Sequence, residues 1–449
     1  MAIRIYDSLS GQEQEFRSIR EGEVGIYLCG PTVQSSPHIG HLRSALVYDL
    51  WRNWFEHRNY RVTMVRNVTD IDDKILINAA ASQLGDHPEQ WWQLAYRVEQ
   101  EFNQAYRALG IPSPTIEPRA TGHITQMVTL IERLIAGGHA YAAKDGSGDV
   151  YFAVRSWPKY GELTRQNIDD MVDAGDAEPR AKQDPRDFAL WKGHKADEPL
   201  SASWPSPWGI GRPGWHIECS AMSTAYLGAQ FDIHGGGLDL RFPHHENELA
   251  QSHAAGDPFA NIWIHNGLVN IAGQKMSKSL GNSVFAADVL ALGRPIVLRY
   301  FLLTAHYRSV LDFSESALAE AGAAFERIEG FLSRANAALD GAGWLAVAHP
   351  EVPQAFAEKM DSDLNTPEAL AVLHDTVRRG NVALDSGDFE GVALARSEVE
   401  LMLDVLGLNA ASEAWKQQSG SADAEISLAK LISSLIDERN QARSAKDFA

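Results

Sequence analysis

The chain has 449 residues, of which 45% are hydrophobic, and it carries a formal net charge of −19. The length predicts about three domains, the apolar content excludes a disordered chain, and the negative charge argues against nonspecific nucleic-acid binding by the chain as a whole. The N-terminus lacks a signal-peptide pattern and no apolar run reaches the roughly 18 residues of a membrane span, so we expect a soluble, cytoplasmic protein with no membrane partner.

The first hundred residues predict a strand, a helix and a second strand. Apolar residues alternate over 24–28, as in a strand that ends at Cys29. They recur at helical spacing over 41–55, and a second strand is predicted over 60–65. Two strands joined by a helix form a parallel pair with a right-handed crossover, and such sheets bind ligands beyond the carboxyl ends of their strands. The sequence therefore predicts a ligand site near Cys29 and Asp70.

The rest of the chain predicts an insertion, a return to the sheet and a helical C-terminal part. Residues 115–205 are richer in Pro, Gly and Asp and contain one predicted strand, and the sheet pattern resumes at Phe231. The pattern becomes helical past about residue 320, where Thr366 is a predicted N-cap. A later helix is predicted to end at Gly407, a natural residue after a helix C-terminus.

Cys29 and Cys219 are the only cysteines. Free cysteines most often act as small buried hydrophobic residues, so their number alone is weak evidence for a metal site. The second cysteine, however, follows His216 and Glu218 closely. Thiolate, imidazole and carboxylate groups are the ligands of zinc, usually four at a time. A zinc ion that carries soft thiolates also binds a further thiol well, which points to a substrate that contains sulfur.

The segment Pro243-His244-His245-Glu246-Asn247-Glu248 offers more ligands of the same kind. If a helix begins near Pro243, His244 and Glu248 are spaced i and i+4 on one face. His245 and Glu248, spaced i and i+3, are an equally acceptable pair by geometry. Spacing alone leaves the choice between the two histidines open.

Two further motifs suit a nucleotide. His38, Gly40 and His41 lie where the loop after the first strand meets the helix. A helix N-terminus favours phosphate, glycine permits close approach, and two imidazoles can donate hydrogen bonds as charge builds on phosphate oxygens. Lys275 and Lys278 belong to a polar loop, residues 275–279, that can close over a polyphosphate. We call this segment the lysine loop.

In this order and separation the two motifs resemble the signature of class I aminoacyl-tRNA synthetases. Residues 214–219, 234–237 and 242–248 narrow the resemblance to the cysteinyl-tRNA synthetase family. It extends over essentially the whole chain, including 67–74 and 363–367. The resemblance implies an α/β fold, with a Rossmann-like parallel-sheet catalytic domain, an inserted connective domain and a following all-α helical bundle. It also implies an ATP-dependent ligase that forms cysteinyl-adenylate and transfers L-cysteine to the 3′ end of tRNA-Cys.

The resemblance also implies roles for individual residues. The zinc ligands, for one Zn²⁺ per chain, would be Cys29, Cys219, His244 and Glu248. Catalysis would use His38, His41, Lys275 and Lys278. ATP, with Mg²⁺, would bind at His38, Gly40, His41, Gly236, Gly237, Asp239 and Lys278. The amino-acid pocket would be formed by Cys29, Thr69, Trp215, His216 and His234. The protein would act as a monomer.

On this basis the chain divides into six predicted segments. The catalytic domain occupies 1–114 and, after the connective insertion, resumes with the zinc ligands. The other segments follow in chain order. They are the inserted connective domain (115–205), the second half of the catalytic domain (206–265), the lysine loop with the stem-contact region (266–320), the helical bundle (321–410), and the linker with the start of an anticodon-recognition segment (411–449). Residues 417–421 suggest the linker, and we expect the chain to be shorter than family members, which puts tRNA recognition in question.

Two other functions remain open from the sequence. One is the ligase that joins cysteine to a glucosamine-inositol in mycothiol synthesis, which shares the fold, the zinc and both signatures. That ligase lacks the Asn-Glu that follows P-H-H-E, whereas Glu248 is present here. The other is a non-catalytic RNA-binding paralogue, against which the intact His38, His41, Lys275 and Lys278 argue.

Overall fold

The structure is a computed structural model that describes residues 2–171, 181–271, 273–276, 282–344 and 351–416. Lys278 and the predicted linker at 417–421 lie outside the described residues. No helix in the described part of the chain is both long and apolar enough to cross a membrane.

The strands are β1 (Arg4–Asp7), β2 (Gln12–Glu15), β3 (Glu23–Leu28), β4 (Arg61–Arg66), β5 (Gln83–Leu84), β6 (His87–Pro88), β7 (Ala140–Ala142), β8 (Val150–Phe152), β9 (Phe188–Gly193), β10 (Gly211–Pro213), β11 (Gln230–Gly237), β12 (Phe259–Asn266), β13 (Val269–Ile271), β14 (Gln274–Lys275) and β15 (Leu311–Phe313). The α-helices are α1 (Ile39–His57), α2 (Asp73–Ala80), α3 (Trp91–Ala108), α4 (Ile124–Ala136), α5 (Trp215–Leu227), α6 (Glu246–Ala254), α7 (Ala286–Ala291), α8 (Pro295–Leu302), α9 (Glu315–Ala342), α10 (Gln354–Asp361), α11 (Thr366–Ser386) and α12 (Phe389–Leu406).

The central sheet has four parallel strands in the order β12-β11-β3-β4. Helix α1 connects β3 to β4, while α6 connects β11 to β12 on the other side. The two connections diverge from the neighbouring strands β3 and β11, so the crevice beyond these strand ends is the switch point at which such sheets bind ligands. The predicted strand-helix-strand unit is confirmed, and so is the α/β class with a helical C-terminal part.

Helix α1 is buried on nearly every side, and its polar residues hold it in place. Arg43 is 1% exposed. Its guanidinium donates to the carbonyls of Gly267, Leu268, His306 and Ser309 at 2.6–3.2 Å. Because these carbonyls lie in the loops around β13 and before β15, α1 is fixed against the segment that leads into the lysine loop.

The inserted region forms a separate antiparallel sheet in the order β10-β9-β8-β7. It is tied to the catalytic sheet through Glu246 at the start of α6, whose carboxylate accepts from the backbone N–H groups of Gly161 and Thr164 at 2.8 and 2.9 Å. Asp73, at the start of α2, pairs with both Lys192 and Arg212 of the insertion. The insertion is therefore anchored on both sides of the crevice.

The helical bundle corrects one predicted helix start. The N-cap of α11 is Asn365, and Thr366 is already helical. The Asn365 carboxamide oxygen accepts from the Glu368 N–H at 3.3 Å, the bond that makes Asn at least as good a cap as Thr. The end of α12 is as predicted, because Gly407 has φ 66° and its N–H donates back to the Asp404 carbonyl.

One buried arginine joins the bundle to the catalytic domain. Arg299 in α8 has no exposed surface. It donates to the Leu406 carbonyl at the end of α12 at 3.0 Å, to the Leu109 carbonyl after α3 at 3.1 Å, and to Asp49 of α1 at 2.7 Å. A single side chain of α8 thus connects the ends of α3 and α12 with α1, the helix that carries His41.

We expect Arg299→Lys to reduce the free energy of unfolding by about 1–3 kcal/mol, the cost of leaving a buried acceptor without a partner. The lysine ammonium cannot reach all of the carbonyls to which the arginine guanidinium donates. Urea denaturation measures the change. Arg396→Lys, at a partly exposed ion pair with Glu400 on α12, is the matched control and should change stability by less than about 1 kcal/mol. Equal stability of both variants would contradict the role of Arg299.

Candidate active site and metal centre

Four metal-ligand side chains meet at the switch point. Cys29 follows β3, Cys219 lies in α5, His244 precedes α6 and Glu248 lies in its first turn. The Cys29 sulfur is 3.6 Å from the Cys219 sulfur and 3.4 Å from Glu248 Oε1. The same carboxylate oxygen is 3.0 Å from His244 Nε2. We refer to these residues as the four-residue cluster.

The donor set fits a tetrahedral cation. Zn–S bonds of about 2.3 Å in a tetrahedron place two sulfurs about 3.8 Å apart, close to the observed 3.6 Å between Cys29 and Cys219. All four side chains are buried. Burial raises the pKa of both thiols and lowers the pKa of His244 to about 3. Among the described residues Glu248 pairs with histidines and with no lysine or arginine, so a bound cation would supply the missing positive charge.

The two histidines between which spacing left the choice open have different contacts in the structure. A second group, Cys29, His234, His245 and Glu248, also has its ligand atoms within 4.8 Å of one another. In that group His245 Nδ1 is 2.8 Å from His265 Nε2, and His234 Nε2 is 2.8 Å from Glu248 Oε2. His244 instead has its Nδ1 3.0 Å from His216 Nδ1, which leaves its Nε2 directed at Glu248. Both rings thus carry the outer hydrogen bond that orients a metal-binding imidazole, and His244 adds the contact with Glu248 Oε1.

We expect His244→Asn to lose the metal and His245→Asn to keep it. The reason is that the His244 imidazole and the Cys29 sulfur both lie next to the same carboxylate oxygen, Glu248 Oε1. Metal content after dialysis against a weak chelator measures the difference, with a zinc content near one per chain expected for wild type and His245→Asn. The reverse pattern would assign the site to the second group. The thermal unfolding of both variants without metal serves as the control for folding.

The predicted pocket residues fall into two layers. Trp215 lines the cavity and stacks on His244 with ring centroids 4.2 Å apart. His216 and His234 are buried behind it and contact the cluster residues instead. Thr69 is also buried, where its hydroxyl donates to Glu218 at 2.8 Å. Of the predicted pocket residues, Cys29 and Trp215 therefore face the cavity, and the others support its wall.

The cavity beyond the strand ends has a volume of about 420 Å³. It brings Cys29 and Trp215 together with His38, Gly40 and His41 at the start of α1, and with Gly237 and Asp239 after β11. Gly236 is not part of this wall; a Cβ there would lie 2.7 Å from the His245 ring. The four-residue cluster, through Cys29, and the predicted nucleotide residues thus border one continuous space.

The start of α1 is organised by its own histidines. His38 is the N-cap, and its Nδ1 accepts from the Gly40 N–H at 3.2 Å. His41 Nδ1 accepts from the His38 N–H at 3.1 Å, and the two rings stack at 3.7 Å. The imidazoles are held side by side at a helix N-terminus, where a phosphate would be stabilised.

The lysine loop begins next to the start of this helix. Lys275 ends β14, and the terminal methyl of Met276 is 3.5 Å from the position of a Cβ built on Gly40. Lys278 follows two residues later, a distance that the chain spans in at most about 7 Å. The described end of the loop therefore lies at the mouth of the cavity.

The cavity is also lined by residues that were not predicted, among them Arg66, Asn266 and Lys74. Arg66 ends β4 and stacks on Tyr106, with the guanidinium 4.3 Å from the ring centroid. Asn266 ends β12 and accepts from the Ser44 hydroxyl at 3.0 Å. Lys74 lies in the first turn of α2. The rule that ligands bind at strand carboxyl ends, applied to every strand and not only the first, would have indicated Arg66 and Asn266.

Comparison with known families agrees with this architecture. Residues 15–323 match the family described as tRNA synthetases class I (C) catalytic domain, and residues 355–411 match the DALR domain. The cysteine--tRNA ligase of Leifsonia xyli subsp. xyli is 62% identical over 448 residues, which cover 100% of this chain and 94% of that protein. The cysteine--tRNA ligase of Clavibacter michiganensis subsp. michiganensis is 61% identical over 455 residues with the same coverage.

Solved structures show the same fold at low sequence identity. The methionyl-tRNA synthetase of Mycobacterium tuberculosis in complex with methionyl-adenylate superposes with a TM-score of 0.59 and 18% identity, covering 86% of this chain and 90% of that chain. At this identity the likeness concerns the fold alone. It agrees with the parallel sheet and the helical C-terminal part described above.

Proposed function

The chain belongs to the cysteine--tRNA ligase family of class I aminoacyl-tRNA synthetases, and we propose on that basis that it joins L-cysteine to tRNA-Cys with ATP. The observation that carries the proposal is the single cavity that borders both Cys29 of the four-residue cluster and the paired histidines of α1. A thiol-selective group and a phosphate-binding helix start are thereby placed within the reach of one amino acid and one nucleotide.

Cysteine selection is proposed to use the four-residue cluster as a zinc site. Zinc, when bound, supplies a soft Lewis acid that favours a thiol over the hydroxyl of serine. The protein's own contribution is orientation. His216 fixes the His244 ring, His234 holds the second oxygen of Glu248, and Trp215 covers the cluster from the cavity side. The cavity thus presents a rigid wall to the amino-acid side chain.

The first chemical step is proposed to be attack of the cysteine carboxylate on the α-phosphorus of ATP. The bond to the pyrophosphate leaving group breaks, and cysteinyl-adenylate forms. His38 and His41 would donate to phosphate oxygens as negative charge accumulates. Lys275 and Lys278, with Mg²⁺, would stabilise the departing pyrophosphate. Gly40, Gly237 and Asp239 would accept the nucleotide at the cavity wall, and Gly236 would support it from behind.

In the second step a ribose hydroxyl at the 3′ end of tRNA-Cys would attack the activated carbonyl and release AMP. We propose a monomer that works in the cytoplasm, where its tRNA and ATP are found. The family relationship disfavours both alternatives, the mycothiol-pathway ligase and the RNA-binding paralogue, and Glu248 in contact with His244 and Cys29 supports the same choice. The predicted domain boundaries remain proposals.

The test is cysteine-dependent exchange of pyrophosphate into ATP, followed by charging of tRNA-Cys by the same preparation. We expect both activities with cysteine and neither with serine. Exchange without charging of tRNA, combined with ligation of cysteine to glucosaminyl-inositol, would favour the mycothiol-pathway ligase. The absence of exchange from zinc-loaded protein would favour the paralogue.

A further inference from the structure

One buried hydroxyl beside the four-residue cluster has no role in the packing of the core. Tyr27 lies in β3, two residues before Cys29, and has no exposed surface. Its ring packs against the rings of Phe231 and His234, with centroids 6.4 and 5.3 Å away. A phenylalanine ring would make the same contacts, so packing does not explain why the side chain at this position carries a hydroxyl group.

The backbone places Tyr27 on the side of the sheet that carries the cluster. Side chains two residues apart in a strand point to the same face, so Tyr27 shares the face of Cys29. Tyr27 is also paired across β3 and β11 with His234, whose Nε2 is 2.8 Å from Glu248 Oε2. Helix α5, which carries Cys219, packs against the same strand. The tyrosine is therefore surrounded by residues that belong to the cluster or touch it.

The hydroxyl of Tyr27 is a donor without an acceptor. It makes no well-formed hydrogen bond to any residue that the structure describes. Burial raises the pKa of this hydroxyl well above its ordinary value, and the charges of Cys219, Cys29 and Glu248 raise it further. Burial also raises the pKa of the Cys219 thiol, whereas the Tyr27 hydroxyl acts in the opposite direction by stabilising the thiolate. Tyr27 therefore keeps its proton and can donate it in a hydrogen bond to a cluster residue.

The charge of the cluster calls for such a donor. Two thiolates and one carboxylate carry three negative charges, of which a Zn²⁺ ion would neutralise two. Among the described residues no lysine or arginine pairs with Glu248, so the remaining charge has no cation beside it there. A buried charge is stabilised by hydrogen bonds to its remaining lone pairs. Tyr27 offers a neutral donor that the rest of the described core leaves unused.

We propose that Tyr27 is a positioning residue of the four-residue cluster, whose hydroxyl donates a hydrogen bond to the Cys219 sulfur when that sulfur is a zinc-bound thiolate. The inference rests on the proposed function, which supplies the zinc. A cysteine must lose its thiol proton to bind the metal, and a hydrogen bond from Tyr27 favours the deprotonated form. The hydroxyl would thereby raise the affinity of the cluster for zinc.

The test compares the zinc affinity of the wild-type chain and Tyr27→Phe, measured in competition with a chromophoric chelator. We expect Tyr27→Phe to raise the Kd for zinc by roughly 10–100-fold, the usual effect of losing an outer partner of a metal ligand. The matched control is Tyr307→Phe, because Tyr307 is also buried but donates its hydroxyl to Asp363 at 2.6 Å. That variant should keep the wild-type Kd.

Cobalt(II) in place of zinc provides a second measurement, which a purely structural role of Tyr27 would not affect. Losing a hydrogen bond raises the energy of the sulfur electrons, so the sulfur-to-cobalt charge-transfer absorption of Tyr27→Phe should move to longer wavelength. The absorption of Tyr307→Phe should not move. If Tyr27→Phe does not fold, the wild-type chain with fluorotyrosine in place of tyrosine replaces it. Fluorine makes the phenol a stronger donor, so the absorption should then move to shorter wavelength.

The possible failures can be told apart. A Kd for zinc and a cobalt spectrum that are unchanged in Tyr27→Phe would make the hydroxyl an ordinary core group and overturn the inference, while the zinc site and the proposed function would stand. An unmoved absorption in the fluorotyrosine chain would have the same meaning. A wild-type chain that binds neither zinc nor cobalt would refute the zinc site itself, and the role of Tyr27 with it.

Discussion

Cys219→Ser is expected to lower cysteine-dependent pyrophosphate exchange by roughly 10⁴-fold, the factor seen when a site built around one polar group loses it. The Cys219 sulfur is 3.6 Å from that of Cys29, and both are buried. A serine hydroxyl is a harder ligand that ionises less readily, so the four-residue cluster should lose affinity for zinc. ATP binding should survive, because the start of α1 does not contact Cys219.

The measurement pairs metal analysis with exchange assays in cysteine and in serine. Ser223→Ala is the matched control, since Ser223 is buried one turn further along α5 and donates to the Ser220 carbonyl. That variant should retain zinc and selectivity. A Cys219→Ser protein with one zinc per chain and wild-type exchange would remove the four-residue cluster from cysteine selection.

The sequence could predict those parts of the site that depend on contacts between residues close together in the chain. The β3-α1-β4 unit follows from local periodicity and from the short crossover, and the position of Cys29 follows with it. The i and i+4 spacing predicted His244 near Glu248, but it could not reject His245. The outer contacts that orient the two rings come from His216 on α5 and His265 on β12, and no local pattern specifies them.

The sequence was also unable to separate the pocket residues that face the cavity from those buried behind its wall. The sequence placed Thr69, His216 and His234 on the cavity wall together with Trp215, because all of them flank the right motifs. Their burial behind the wall follows from packing between α5, β11 and the segment after β4, which no local pattern specifies. The N-cap of α11 was displaced by one residue for a local reason, because Asn365 competes with Thr366 for the same backbone N–H groups.

Lys278→Ala is expected to lower the rate of adenylate formation by about 10²–10³-fold, the usual effect of removing one preorganised donor to a developing charge. The argument is positional. Met276 contacts the space over Gly40, and Lys278 follows it by two residues in the sequence, so we expect it to act on a phosphate chain bound at His38 and His41. Charge on the pyrophosphate grows only as its bond to the α-phosphorus breaks, so a cation there acts on the transition state more than on bound ATP.

The expected signature is therefore a lower kcat for exchange with little change in the KM for cysteine. Zinc content should equal that of the wild type, because Lys278 is not one of the residues of the four-residue cluster. Lys359→Ala provides the control, since Lys359 is a lysine of α10 that pairs with Glu368 in the bundle, and it should leave exchange unaltered. If Lys278→Ala loses only affinity for cysteine and keeps its activation rate, the lysine serves substrate binding, and the stabilisation of pyrophosphate must come from other cations of the site.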